Sequence, residues 1–143
     1  MPQYSTSHRN NAMADLISQA GIAAFILLYS GALPASCAAA DSGALLSAIP
    51  CNPVIGTVNN GVLTFNGTAT AAPASASNPL GPAVATAGAA VHWRLCTNAS
   101  GASVVAQGTI GAFGSELIFP AGTTFLSGQL VSLIGMTITA AGV

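Results

Sequence analysis

The chain has 143 residues, which is enough for one domain, and we predict a single domain over residues 1–143. Charged residues make up 3% of the chain, against about 25% in an ordinary globular domain. Because it has no lysine and only two arginines, it cannot form the clustered basic face that nucleic acids require, so no nucleic-acid partner is predicted.

Hydrophobic residues make up 52% of the chain, so a membrane segment has to be considered. The most apolar run, residues 21–29, is shorter than the roughly 20 residues of a spanning helix, and no membrane partner is predicted. A secretory signal peptide is an alternative, since Arg9 precedes this run and small residues follow it at 35–38. Asp15 beside the run and the polar residues before it favour an N-terminus that belongs to the mature fold.

Residues 1–20 are expected to form an N-terminal arm that contains a short amphipathic helix. Ser5 and its polar neighbours can cap such a helix, and Gly21 can end it. Between these two ends, apolar residues recur at helical spacing, namely Met13, Leu16, Ile17 and Ala20.

After residue 20 the sequence consists of short apolar runs separated by Gly, Pro, Asn and Ser, a pattern typical of antiparallel β domains. The predicted strands are 22–29, 44–49, 54–58, 62–70, 89–96, 103–110, 115–119 and 130–139. Compact turns are expected at 59–61 and 98–101. The predicted fold class is all-β, a jelly-roll-like antiparallel β-sandwich over 21–143 with a short N-terminal helix.

Alternation is clearest in the strand 89–96. It places Val91, Trp93 and Leu95 on one face, and His92, Arg94 and Cys96 on the other. Trp93 is therefore the predicted core anchor. Residues 130–135 show almost no polar contrast, which predicts a strand covered on both faces. The proline-rich stretch 71–90 fits either a flexible connection or an ordered arm that reaches a neighbour.

Few residues could carry catalysis. His8 and His92 are the only imidazoles, and no spacing typical of a metal site or a nucleophile elbow occurs, so we predict no enzyme activity, no metal and no cofactor. We interpret His92 as a rim or interface histidine and Asp41 as a turn residue. Arg94 is either a specific contact or a solvated strand residue.

Three cysteines, Cys37, Cys51 and Cys96, leave at least one thiol unpaired. An odd number favours a chain that folds in a reducing compartment and uses its thiols as small apolar side chains. The spacing leaves a bridge between Cys37 and Cys51 open.

The shortage of charge favours association, because mixed surface charge normally keeps soluble monomers apart. A surface of Ala, Ser, Thr, Gly and Asn loses little side-chain entropy in a permanent contact. The sequence therefore predicts a structural subunit of a larger assembly.

Three segments of the chain resemble a family of small virion proteins of tailed bacteriophages. The segments are Gln3–Thr6 with Arg9–Asn10, Met13 and Asp15–Ile17, then Ala38–Gly43 (AAADSG), and later His92–Leu95. The family is similar to the capsid cement, or decoration, proteins of short-tailed phages such as the Bordetella phage.

The resemblance implies a structural virion protein with a jelly-roll-like β fold. Such a protein is made in the host cytoplasm and binds the outer face of the capsid, where it bridges major capsid protein subunits. It also implies self-association, with a dimer expected. The hypothetical capsid or oligomer contacts are Tyr4, Arg9, Asn10, Asp15 and Arg94. Family members carry more charge in mid-chain, so a fibre, tail or adhesin-like receptor-binding module is the alternative.

Overall fold

The computed structural model describes residues 3–51, 55–65, 86–112, 115, 117–118, 122–129, 131 and 136–140. Among them the chain forms one helix, α1 (Thr6–Ala20), and ten strands. The strands are β1 (Phe25–Tyr29), β2 (Leu45–Pro50), β3 (Gly56–Asn59), β4 (Val62–Phe65), β5 (Gly88–Ala89), β6 (His92–Cys96), β7 (Val104–Gly111), β8 (Leu117–Ile118), β9 (Thr124–Phe125) and β10 (Thr137–Thr139).

The predicted fold class is confirmed. The chain is mostly β, with one short N-terminal helix and a curled multi-strand sheet consistent with an all-β sandwich. The largest sheet has the order β2-β1-β6-β7-β8, and its pairs are antiparallel except β7–β8. A second sheet has the order β10-β4-β3, and β5 pairs with β9.

Helix α1 begins as predicted, because the Ser5 hydroxyl accepts a hydrogen bond from the His8 amide at 3.2 Å. It ends at Gly21, whose φ of 76° is a left-handed value that favours glycine. Met13 and Ala20 are buried, and α1 contacts β3, β4 and β7. The helical part of the predicted arm is therefore part of the hydrophobic core.

The turn at 59–61 is confirmed as a two-residue β-hairpin. Asn60 and Gly61 have φ values of 52° and 77°, and Asn59 pairs with Val62 across it. These are the conformations of a type I′ turn, whose twist matches that of the flanking strands. The turn at 98–101 is also present, with the Ser100 amide donating to the Asn98 side chain at 3.0 Å.

Several predicted strand boundaries were wrong. Strand β1 starts at Phe25, because the chain turns after Gly21 and leaves Ile22 84% exposed. The strand predicted at 89–96 is divided into β5 and β6, since the Ala90 amide bonds to Thr123 and the Val91 amide to Tyr29. This leaves Val91 39% exposed instead of packed beside Trp93.

Strand β9 was not predicted at all. The stretch 66–85 and residues 52–54, 130 and 132–135 lie outside the described residues, and parts of four predicted strands, 54–58, 62–70, 115–119 and 130–139, lie outside them as well.

The core lies on one face of the large sheet. Trp93 is 2% exposed and belongs to the main hydrophobic cluster with Leu95, Ile26 and Leu28, which confirms it as a core anchor. Gly108 lies opposite Trp93 in the register, and a Cβ there would fall 2.8 Å from the indole nitrogen. Strand β7 therefore needs a glycine where the indole ring crosses it.

Candidate functional site

The opposite face of the large sheet carries most of the buried polar side chains of the described residues. His92 and Arg94 project from β6, and their register partners Tyr29 on β1 and Gln107 on β7 share this face. A smaller apolar cluster that includes Leu27, Ala48 and Cys96 surrounds them. The two faces of one sheet thus bury different kinds of side chain.

Residues 30–44, which we call the strap, lie over this polar face. The strap joins β1 to β2, two antiparallel neighbours, and forms neither helix nor strand. Its two ends meet at a neck where the Ser30 amide donates to the Ala44 carbonyl at 3.1 Å. Gly43 has a φ of 74°, and a Cβ there would clash with the Gly31 nitrogen, so the neck closes only around glycine.

A buried ion pair holds the centre of the strap. The Arg94 Nη1 lies 2.6 Å from the Asp41 Oδ1, and the two side chains are 2% and 35% exposed. Arg94 Nη2 also donates to the carbonyls of Ala39, at 3.0 Å, and Ser36, at 3.4 Å. A buried guanidinium needs both a counter-charge and acceptors, and the strap supplies them to Nη1 and Nη2, while Nε has no partner among the described residues.

Tyr29 holds the second oxygen of the same carboxylate. Its hydroxyl donates to the Asp41 Oδ2 at 3.0 Å. Burial, followed by this hydrogen bond and the negative charge of Asp41, raises the pKa of Tyr29 well above its ordinary value. The phenol therefore stays protonated and remains a donor to the carboxylate.

His92 and Gln107 hold the first half of the strap. His92 is fully buried, its Nδ1 lies 2.7 Å from the Gly31 carbonyl oxygen, and its ring stacks on Tyr29 at 5.1 Å. Since a carbonyl only accepts, Nδ1 carries the proton. The Gln107 side-chain amide donates to the Pro34 carbonyl at 2.7 Å. We call the four sheet residues that bond to the strap, Tyr29, His92, Arg94 and Gln107, the clamp. The clamp fastens an irregular loop to a regular sheet.

An open pocket of about 510 Å³ lies beside the clamp. Its lining combines the Ala38–Ala40 segment with Asp41, Arg94, Ser103 and Cys37. Gly101 also lines it, and a Cβ there would fall 3.1 Å from the Tyr29 hydroxyl oxygen. The pocket is therefore lined by small side chains together with the two partners of the ion pair.

All three thiols are free, so the bridge left open between Cys37 and Cys51 is not formed. Cys51 and Cys96 are buried in the two apolar clusters, which confirms their role as small apolar side chains. Burial raises the pKa of Cys51 to about 12 and that of Cys96 to about 11, with the charge of Asp41 adding to the effect at Cys96. Cys37 is half-buried and lines the pocket.

Three of the five predicted contact residues act inside the chain, namely Arg94 under the strap and Asn10 and Arg9 at the β3–β4 turn. The Asn10 side chain accepts a hydrogen bond from the Gly61 amide at 2.7 Å, which fastens α1 to the β3–β4 hairpin. A Cβ on Gly61 would fall 2.7 Å from the Cβ of Arg9, so the stem of Arg9 packs on the same turn. These contacts place Asn10 and Arg9 against the sandwich.

Tyr4 and Asp15 lie on the surface. Tyr4 is 45% exposed and its ring stacks on His8 at 4.9 Å. Asp15 is exposed and accepts a hydrogen bond from Gln19 at 2.6 Å, one turn along α1. Both side chains are exposed, so a partner could contact them.

Three sequence interpretations need correction. Arg94 makes a specific contact, as the first of its two alternatives predicted, but the contact lies inside the chain and the strap encloses the guanidinium, so it is not available to a partner. His92 is not at a rim, since the stacked Tyr29 ring and the Gly31 carbonyl bury it completely. Asp41 makes a long-range ion pair instead of stabilising its own turn.

Comparisons with known proteins identify no family for the chain. No protein-family model, no curated protein and no solved structure matches the chain. In the described part of the chain, no helix is long and apolar enough to cross a membrane. Within the same residues, no three His, Cys, Asp or Glu side chains are grouped as metal ligands would be.

Proposed function

We propose that the chain is a structural subunit of a larger assembly, and specifically a phage capsid cement protein. In this role it binds the outer surface of the shell and stabilises it by bridging major capsid protein subunits. The observation that carries the proposal is the near absence of charge from the described surface.

The fold removes charge from a surface that already has little. Of the five charged residues in the chain, Arg94 and Asp41 neutralise each other under the strap. Glu116 lies outside the described residues, so the remaining formal charges of the described surface are Arg9 and Asp15, both on α1. Such a surface has little electrostatic protection against association.

The same surface suits a permanent contact with a shell. Small side chains let two backbones approach closely, and they lose little conformational entropy when they are ordered. Several weak contacts to neighbouring subunits add through effective concentration, so a small protein can bridge them without one strong site. Because few ions take part, the binding should depend little on salt.

The resemblance supplies the identity of the partner within this proposal. Two of the segments that carry it, 38–43 and 92–95, are joined in the fold by the ion pair between Asp41 and Arg94. The third segment forms the start of α1, which leaves Tyr4 and Asp15 as the contact residues we retain. A dimer of the cement protein on the shell is part of the proposal.

The test is binding of purified protein to shells of its phage that lack it. We expect saturable binding that raises the temperature at which the shells break, with affinities at 50 and 500 mM salt within about threefold because few ions are displaced. Replacement of Tyr4 and Asp15 by alanine should weaken binding, whereas Thr57→Ala, an exposed change on β3, serves as the matched control.

The proposal would be abandoned if the protein stayed monomeric at millimolar concentration and did not bind the shells. Unchanged binding after the Tyr4 and Asp15 replacements would remove α1 from the contact. Mass spectrometry of mature particles provides an independent test, because shell reinforcement requires many copies per particle.

The pocket beside the strap favours the second candidate, a fibre, tail or adhesin-like receptor-binding module. It is open, has a volume of about 510 Å³ and presents the Asp41 carboxylate and the Ser103 hydroxyl among small side chains. A polar ligand such as a host surface sugar would bind there. Loss of cell-surface binding on Ser103→Trp, with shell binding intact, would favour this candidate.

A further inference from the structure

His92 is the one contact of the clamp whose hydrogen-bonding chemistry changes in the mildly acidic range. We propose that the strap is an acid-sensitive cover, which protonation of His92 releases from the sheet. The neutral ring satisfies the Gly31 carbonyl through Nδ1, while its Nε2 is buried with no hydrogen-bond partner among the described residues. A proton added to His92 must go to that Nε2.

In the part of the chain that the structure describes, no carboxylate near the ring is left unengaged to pair with this charge. The groups around the ring are the stacked Tyr29 on β1, Thr109 opposite on β7, and the guanidinium of Arg94 two residues along β6. On the strap side, the Asp41 carboxylate is already engaged by Arg94 and Tyr29. Burial first, and then the positive charge of Arg94, lower the pKa of His92, while the Gly31 carbonyl and Asp41 oppose them.

The strap can open without dismantling the main core. Its residues are mostly Ala, Ser and Gly, which bury little apolar surface, so polar contacts from the sheet hold it in place. Trp93 and its cluster lie on the other face of the sheet. Opening would hydrate His92 and uncover the smaller apolar cluster with Leu27, Ala48 and Cys96.

The direction of the pH dependence follows from this geometry. His92 is neutral in the closed state and takes up a proton when the strap opens, so acid favours opening. The effect begins below the ordinary histidine pKa of about 6.5, and the opening constant grows by up to about tenfold per pH unit. It levels off below the lowered pKa of the closed state.

Labelling of Cys96 measures the opening, because Cys96 is fully buried on this face of the sheet and lies near Asp41 and Cys37 of the strap. Native full-length chain is treated with 4,4′-dithiodipyridine from pH 7.5 to 4.5, and labelled cysteines are identified by peptide mass spectrometry. Each rate is divided by the rate of the urea-unfolded chain at the same pH. Cys51, buried in the main core, reports global unfolding in the same sample.

The chain has two histidines, which gives a matched pair of variants. His92→Asn keeps a donor near the position of Nδ1 but cannot be protonated in this range, whereas His8→Asn removes the exposed histidine. We expect Cys96 labelling to rise at least tenfold between pH 7 and 5 in the wild type and in H8N, with Cys51 unchanged. In H92N the rise should disappear.

A parallel rise at Cys51 would overturn the proposal, because the whole chain would then be unfolding. A rise that persists in H92N would overturn it as well. If H92N does not fold, an NMR titration of the wild-type His92 ring gives the same decision: its midpoint must coincide with that of Cys96 labelling, and a separation of more than about one pH unit contradicts the proposal.

Discussion

Replacement of Asp41 by asparagine tests whether the ion pair of the clamp stabilises the fold. The Asp41→Asn change would keep the size of the side chain and one acceptor but leave the Arg94 guanidinium, 2% exposed, without a counter-charge. Removing one partner of a fully buried pair costs about 3–5 kcal/mol. Because Asp41 is 35% exposed, water screens part of the loss, and we expect about 2–3 kcal/mol.

The double-mutant cycle with Arg94→Met isolates the pair. Once the guanidinium is gone, Asp41 has no charge to neutralise, so D41N should cost less than about 1 kcal/mol in the R94M background. Asp15→Asn on the exposed face of α1 is the matched control, with an expected change within about 0.5 kcal/mol. Urea unfolding followed by the fluorescence of Trp93, the only tryptophan, measures all four free energies.

Additivity would refute the reasoning. If D41N cost the same in the wild type and in R94M to within about 0.5 kcal/mol, the carboxylate and the guanidinium would not depend on each other. The strap would then be held by its backbone contacts alone.

Gly108→Ala should destabilise the fold by about 1–3 kcal/mol in urea unfolding, because the new methyl group meets the indole ring at 2.8 Å; a neutral result would show that the ring can move. Asn10→Ala removes the acceptor for the Gly61 amide and should cost about 1 kcal/mol, with faster hydrogen exchange in α1, whereas Asn11→Ala on the exposed side should change neither. At pH 8 the native chain should show one thiol, Cys37, that reacts rapidly with Ellman's reagent and two that react only in urea, since burial raises the pKa of the other two. Rapid reaction of all three thiols would contradict the burial of Cys51 and Cys96.

Sequence patterns predicted correctly those features that depend only on neighbouring residues in the chain. The Asn60–Gly61 pair predicted a tight hairpin because both residues tolerate the positive φ values that the turn needs. Period-two alternation grouped Trp93 with Leu95 on the core face for a similar reason, since alternate residues of a strand face the same side whatever pairs with it. The start of the helix was predicted on the same basis, because its cap at Ser5 bonds to a residue only three positions along the chain.

The clamp could not be predicted in the same way. Asp41 and Arg94 are 53 residues apart, and only the pairing of β1 with β6 brings the strap over the guanidinium. Most of the acceptors are backbone carbonyls, which every residue has, so no residue type marks them. The sequence could not show whether His92 is buried or lies at a rim. Alternation predicts which face of the sheet carries His92, but it does not predict that the strap covers that face.

The two faces of the large sheet are held by different forces, and this has a consequence for the proposed assembly. Behind Trp93, packing of large apolar side chains stabilises the sandwich itself. Under the strap, an ion pair and hydrogen bonds fasten a loop too small to hold itself by burial. Loss of the clamp should therefore change the outer surface of the molecule before it changes the fold. Under the proposed cement role, acid would alter the contact surface while the core stays folded, so shell binding measured at pH 7.5 and 5 separates the role of the strap from that of α1.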